Sequence, residues 1–238
     1  MKMRTLLALA FMLALPAISF AQPKEEHKLV QFHMAVLRKG PQWSVMTSAE
    51  RDKKLEEHVA NVVSLLDSGR MVMAGPFVDS RDSGDIAGIF VFRATSAEEA
   101  ESWANADPAV KAGMMVAEMH PWWSEDIFGK AATSPLKMET VYFGFLKRGP
   151  NRKAGDGDTP EVQELQKAHL ANINRLAETK KLVVAGPFGD DGDYRGIFVF
   201  RVGSLKEAEE LAATDPMIKI DRLRLDLHRW EVPVGVIP

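Results

Sequence analysis

The 238-residue chain has no cysteine. This excludes disulfides, a thiolate nucleophile and any cysteine-based zinc site. Long apolar runs are scarce as well. The stretch from Leu6 to Leu15 ends at Pro16 and falls well short of the ~20 residues a helix needs to span a bilayer. Basic charge is not in excess either, with 30 Lys and Arg against 33 Asp and Glu. No broad positive field therefore exists to draw in nucleic acid or an anionic membrane. A nucleophile elbow of the form Gly-x-Ser-x-Gly is missing. The two Gly-Pro-Phe segments are too short and too proline-bound to cradle phosphate, and they are expected to be turns at strand ends. No two of the six histidines stand at the close spacing of a helical or hairpin ligand pair, so no metal site is expected.

What is present begins with a leader-like segment. Lys2 and Arg4 precede the apolar run, and Ser19, Phe20 and Ala21 follow it. This order predicts a secretory signal over residues 1–21, cleaved after Ala21, and a periplasmic or secreted product with no membrane attachment. Loss of Lys2 and Arg4 leaves 28 basic against 33 acidic side chains, a balance of −5. Apolar residues make up 46% of the chain, enough for one large domain or two small ones without disulfide support.

Internal repetition decides between those two options. The segment from Val72 to Phe77 returns as Val183 to Phe188, and Gly88 to Arg93 returns unchanged as Gly196 to Arg201. Other landmarks keep their order: Gly40 and Pro41 with Gly149 and Pro150, His58 with His169, Asp107 and Pro108 with Asp215 and Pro216, His120 and Trp122 with His228 and Trp230. Two units are therefore expected, at 28–128 and 138–236, joined by a small polar linker at 129–137.

Each unit is expected to run β-α-β-β-α-β. Its first strand alternates Phe32, Met34 and Val36 in one copy, Val141, Phe143 and Phe145 in the other. A long amphipathic helix follows, with Leu55, Val59, Val62, Val63 and Leu66 at helical spacing in copy one. Ser96 with Glu99, and Ser204 with Glu207, form the capping-box pattern that opens the second helix. In the last strand of copy two, Leu223, Leu225 and Leu227 alternate with polar residues. This is the ferredoxin-like, split β-α-β order, an α+β class. Both helices of such a unit cover one face of its sheet and leave the other face open. The two open faces are expected to meet in an intramolecular dimeric α+β barrel, making the protein a monomeric pseudo-dimer or a homodimer through its outer surfaces.

Alternation assigns Glu118, His120 and Trp122, with Arg224, Asp226, His228 and Trp230, to the open faces, and places His33 and Tyr142 with them, opposite the apolar set. Either a polar substrate pocket or a solvated edge results. The Trp122–Trp123 pair is expected to anchor a strand end. His58 and His169 lie on or beside the apolar stripe of the first helix. Asp107 and Asp215, each followed by Pro, fit helix N-caps.

Taken together, His58 and Val59, Gly69 and Arg70, Ala74 to Pro76, and Trp103 to Pro108 resemble the YCII-related (YciI-like) domain. The second copy matches with His169 and Leu170, Lys180 and Lys181, Ala185 to Pro187, and Ala212 to Pro216. The resemblance implies a subunit that pairs into a dimeric α+β barrel and a His/Asp active-site pair. Carried onto this chain, the pairs are His58 with Asp107 and His169 with Asp215. It also implies enzymes that eliminate or isomerise small ring compounds without metal or organic cofactor. The family commonly has an aromatic residue after Asp-Pro, where Ala109 and Met217 stand here. Two functions fit: an exported acid–base enzyme acting on a small organic substrate, and a non-catalytic periplasmic small-molecule-binding or interaction module. The enzyme requires His58 to reach Asp107, or His169 to reach Asp215, beside a cavity; the binding module requires histidines satisfied by backbone with no carboxylate near.

Overall fold

In the computed structural model the described residues are 28–78, 86–133, 135–153 and 159–238. The leader expected at 1–21 lies outside them, as do residues 79–85 and 154–158.

The first half runs β1 (Leu29–Lys39), α1 (Ser48–Asp67), β2 (Met71–Pro76), β3 (Ile86–Phe92), α2 (Ala97–Ala106), α3 (Pro108–Lys111) and β4 (Met115–Glu125). The second repeats it: β5 (Met138–Arg148), α4 (Pro160–Glu178), β6 (Leu182–Pro187), β7 (Tyr194–Phe200), α5 (Leu205–Ala212), α6 (Pro216–Lys219) and β8 (Leu223–Pro233). Both sheets are antiparallel, ordered β2-β3-β1-β4 and β6-β7-β5-β8.

Helix starts follow local chemistry. Asp107 and Asp215 cap the short α3 and α6, with Pro at the first helical position, as their Asp-Pro pairs suggest. Ser96 and Ser204 do accept the amides of Glu99 and Glu207. The returning carboxylates, however, reach one residue further back than in a capping box, to the amides of Thr95 and Gly203. The complete box is at Thr47 and Glu50, which opens α1.

The two sheets close into one barrel through their outer strands. On one seam β2 lies along β8, where Phe77 bridges to Trp230 and the Val78 amide donates to the Arg229 carbonyl at 3.0 Å. On the other β6 lies along β4, where Phe188 bridges to Trp122 and the Gly189 amide donates to the Pro121 carbonyl at 2.7 Å. The Trp122 indole donates to the Gly186 carbonyl at 3.2 Å, so this tryptophan anchors the seam. The Ala-Gly-Pro segments therefore end strands at the junction of the halves, and this explains their glycines. A Cβ on Gly75 would stand 1.8 Å from the Glu231 carbonyl oxygen, and one on Gly186 1.9 Å from that of Trp123.

One core cluster fills the barrel with residues of both halves, including Phe32, Met34, Trp122, Phe143, Phe145 and Trp230. Val62, Leu65 and Leu66 of α1 bury against the outer face of the first sheet, and Leu176 of α4 against the second. The segment between β4 and β5 is tied to the chain's C-terminal end: Gly129 and Ala132 donate to the carbonyls of Val236 and Val234.

One expectation about the strand faces is corrected. In β1, Met34 stands opposite His120 and Phe32 opposite Trp122, while His33 pairs with Pro121. In β5, Phe143 stands opposite His228 and Tyr142 opposite Arg229. Directly paired residues project to the same face, so the apolar sets of β1 and β5 line the barrel with His120 and His228. His33 and Tyr142 instead face the helices and do not join the residues assigned to the open faces. His33 is buried there near Glu98 and Glu99, and burial pulls its imidazole below the usual range against the pull of those carboxylates. Small residues at Ala35 and Gly144 share that helix face.

Candidate active site

The long helix and the Asp-Pro turn bring each histidine to its aspartate. His58, one turn before the buried Val62, hydrogen-bonds through Nδ1 to Asp107 Oδ1 at 2.9 Å. His169 on α4 does the same through Nδ1 to Asp215 Oδ2 at 2.6 Å. Both carboxylates are fully buried, and both are held by backbone amides at the start of a short helix. Ala109 N donates to Asp107 at 2.9 Å, and Met217 N to Asp215 at 2.9 Å. An aspartate that receives these amides is an acceptor, so the imidazole Nδ1 must carry the donated proton. Nε2 is then left with its lone pair, and among the described residues it has no protein partner in either half. Each ring stacks on a strand phenylalanine, His58 on Phe90 at 5.4 Å and His169 on Phe198 at 6.1 Å. Position, tautomer and ring plane are thus all fixed by neighbours.

The two pairs differ in detail. Asp107 uses Oδ1 for both His58 and its cap, and Oδ2 accepts from Asn61 Nδ2 at 2.9 Å. Asp215 divides the work: Oδ1 caps and Oδ2 holds His169. Asn172, at the position matching Asn61, turns its oxygen to Arg175 at 2.8 Å and Thr214 at 3.0 Å instead. The asparagine three residues after each histidine escaped the sequence reading, although helical spacing puts it on the same face.

A cavity reaches each histidine between the first helix and the sheet. The one at His58 has a volume of about 170 Å³ and the one at His169 about 360 Å³. Each is completed by the opposite half. Met138 of β5 helps wall the His58 cavity, and Leu29 of β1 the His169 cavity.

Of the polar residues expected between the sheets, Glu118, His120, Asp226 and His228 gather on the barrel side, where each lies against a charged or polar partner. Arg38 donates to Glu118 and to the Tyr194 hydroxyl, both at 3.0 Å. His120 Nδ1 lies 2.7 Å from Asp190 Oδ2, and His228 Nε2 3.1 Å from Asp226 Oδ1. Burial alone would raise Asp226, but the adjacent His228 imidazole and the hydrogen bond from Lys147 outweigh it and hold the carboxyl at about 2. Phe77, Phe145, Phe188 and Tyr194 pack on the two imidazoles. Arg224 is exposed at the start of β8. Among the described residues no group of three or more His, Asp or Glu is arranged to hold a metal ion.

A sequence profile of the YCII-related domain matches residues 25–122 and again 146–225. The chain belongs to the YCII-related domain family, in tandem. A relative of these YCII halves is the uncharacterised protein YjpA of Bacillus subtilis (strain 168), 31% identical over 70 residues, which are 29% of this chain and 80% of YjpA. Among solved structures the tandem YCII chain is similar to a mutant chlorite dismutase from Candidatus Nitrospira defluvii, with a TM-score of 0.54 at 12% identity over 85% of this chain and 90% of that one. It is also similar to a heme-binding protein from Thermus thermophilus, with a TM-score of 0.53 at 10% identity over 87% and 94%. At such identities the likeness speaks for the fold alone: two α+β halves closing on one another.

Proposed function

We propose that the tandem YCII protein is an exported enzyme that eliminates or isomerises small organic substrates by acid–base chemistry, with His58 and His169 as bases. The observation that carries this is the pair of Nδ1-to-carboxylate contacts at 2.9 and 2.6 Å beside cavities. In the step, Nε2 takes a proton from substrate carbon as the C–H bond breaks. The electron pair forms a new double bond, and either a leaving group departs or the proton is returned to another atom of the substrate. The imidazolium formed is stabilised by the aspartate, which keeps its charge because backbone amides already hold it. Apolar walls such as Leu55, Ile89 and Phe90 thin the water around the transferring proton and strengthen these interactions. The non-catalytic alternative called for histidines satisfied by backbone, whereas a carboxylate partners each one.

The test is proton exchange. Small carbon acids and halogenated or hydroxylated ring compounds are incubated with protein in D2O and followed by NMR for deuterium uptake or conversion. The His58→Gln, His169→Gln double variant is expected to lose about 10²–10⁴-fold in rate with its unfolding midpoint nearly unchanged. A folded double variant that exchanges as fast as wild type would remove both bases from consideration. For export, mass spectrometry of the protein from a periplasmic or secreted fraction is expected to find a chain beginning at Gln22; a chain that still begins at Met1 there would contradict cleavage.

A further inference from the structure

We infer that the two cavities have diverged in charge, and that the one at His169 takes a small organic anion such as a monocarboxylate. Superposing the repeats on Gly88 and Gly196, and on His58 and His169, matches the walls residue by residue. Arg195 stands where copy one has Ala87, and Gln166 where it has Leu55. Counting from Gly40 and Gly149, Arg152 stands where copy one has Trp43. The rest of the lining keeps its apolar character in both halves, as Ile89 with Ile197 and Phe90 with Phe198. Where the character of the lining changes between the halves, at Arg195, Gln166 and Arg152, the change adds a polar or cationic group.

Electrostatics points the same way. Arg152 and Arg195 line the His169 cavity together with Gln166, and among the described residues no acidic side chain does. A neighbouring cavity of about 340 Å³ shares Arg152, Gln166 and Met217 and adds Lys167 and Arg222, again with no acid among the described residues of its lining. The His58 cavity is walled by apolar groups apart from the histidine. Arg195 is held in place: Nη1 donates to the Asp190 carbonyl and the Asp191 carboxylate, both at 3.1 Å. Its Nε is buried without a partner, and Nη2 has none among the described residues. A guanidinium anchored on one nitrogen and open on another offers a carboxylate a charge-assisted hydrogen bond with little further loss of side-chain freedom. Asp191 offsets only part of the charge, because it also bonds Arg148 at 2.9 Å. At about 360 Å³ the cavity falls in the range of small-ligand sites.

The substrate class rests on the acid–base proposal, but the test reads binding without turnover, so each can fail alone. Isotope-labelled protein with assigned amides is titrated with benzoate and with neutral benzamide at low ionic strength. Benzoate is expected to bind at least about tenfold more tightly, to shift Ile197 and Phe198 rather than Ile89 and Phe90, and to weaken as salt is added. Arg195→Gln is expected to weaken benzoate about tenfold and to leave benzamide unchanged. If that variant does not fold, Arg152→Gln on the outer wall is expected to weaken benzoate about threefold. In a His58→Gln background, His169→Gln, which leaves the cationic wall intact, is expected to keep benzoate binding while losing the remaining exchange. The inference is overturned if benzoate and benzamide bind alike, if benzoate prefers the His58 side, if folded arginine variants bind benzoate as wild type does, or if benzoate does not bind saturably at all. Benzoate binding as expected in a wild type that exchanges no carbon acid would uphold the anion site and sink the acid–base proposal.

Discussion

Alanine at Gly75 or Gly186 is expected to cost about 4 kcal/mol or more, at the extreme end of single-residue effects. The added Cβ would stand 1.8 Å from the Glu231 oxygen in one case and 1.9 Å from the Trp123 oxygen in the other. Both obstacles are backbone of the facing strand, and an indole nitrogen closes the space behind each, Trp230 at 2.8 Å and Trp122 at 3.1 Å. No rotamer change relieves such a clash, so β2 must part from β8, or β6 from β4, opening the barrel along a seam. The control is Gly69→Ala. Gly69 has φ +73 but nothing within 4 Å of where a Cβ would stand, so only the left-handed conformation is penalised, at about 1 kcal/mol. Chemical denaturation of the three variants separates steric closure from backbone strain. Should Gly75→Ala prove no worse than Gly69→Ala, the seam is looser than these contacts imply.

Asparagine in place of the buried aspartates is expected to affect the two halves unequally. In the second half Oδ1 of Asp215 caps α6 while Oδ2 holds His169. Asp215→Asn keeps the oxygen on the cap and sets an NH2 against His169 Nδ1. The imidazole must then accept at Nδ1 and carry its proton on Nε2, which turns the base into a donor. A loss of about 10⁴-fold is expected for His169-dependent exchange, measured in a His58→Gln background. In the first half Oδ1 of Asp107 serves both cap and His58, and Oδ2 faces Asn61. Asp107→Asn can leave that oxygen in place, with Asn61 turning its amide to accept from the new NH2. The His58 tautomer survives, and a loss of only about tenfold is expected in a His169→Gln background. Equal losses in the two halves would show that tautomer control is not what the aspartates provide. Alanine at either position removes the cap and leaves buried groups without partners, for about 2–4 kcal/mol of stability.

The duplication and the β-α-β-β-α-β order were legible because their signals are local: repeated peptides, alternating strands, Ser and Asp before helices. The His/Asp pairs were legible through family resemblance alone, since 49 residues separate His58 from Asp107 and no helical or strand period links them. What could not be read was pairing. Both faces of the middle of β1 are buried, so alternation cannot tell the helix side from the barrel side, and the register of Met34 with His120 assigns it. The same holds for Gly75 and Gly186, which look like turn glycines until the opposite strand is in place. The cationic wall at His169 was overlooked for a related reason. Arg195 lies on β7, Gln166 on α4 and Arg152 between β5 and α4, and each alone passes for a surface residue.

A symmetric homodimer made from one copy of this unit would express every substitution twice. An arginine introduced beside one imidazole would stand beside the other as well. Because both barrel halves here are encoded in a single polypeptide, Arg195 can have Ala87 as its counterpart across the pseudo-twofold without either residue being imposed on both halves. Leu29 and Met138 still hold the sites in mutual dependence, each half lending the other a wall. Covalent joining of the two halves thus lets the walls of the two chambers differ while their architecture stays shared.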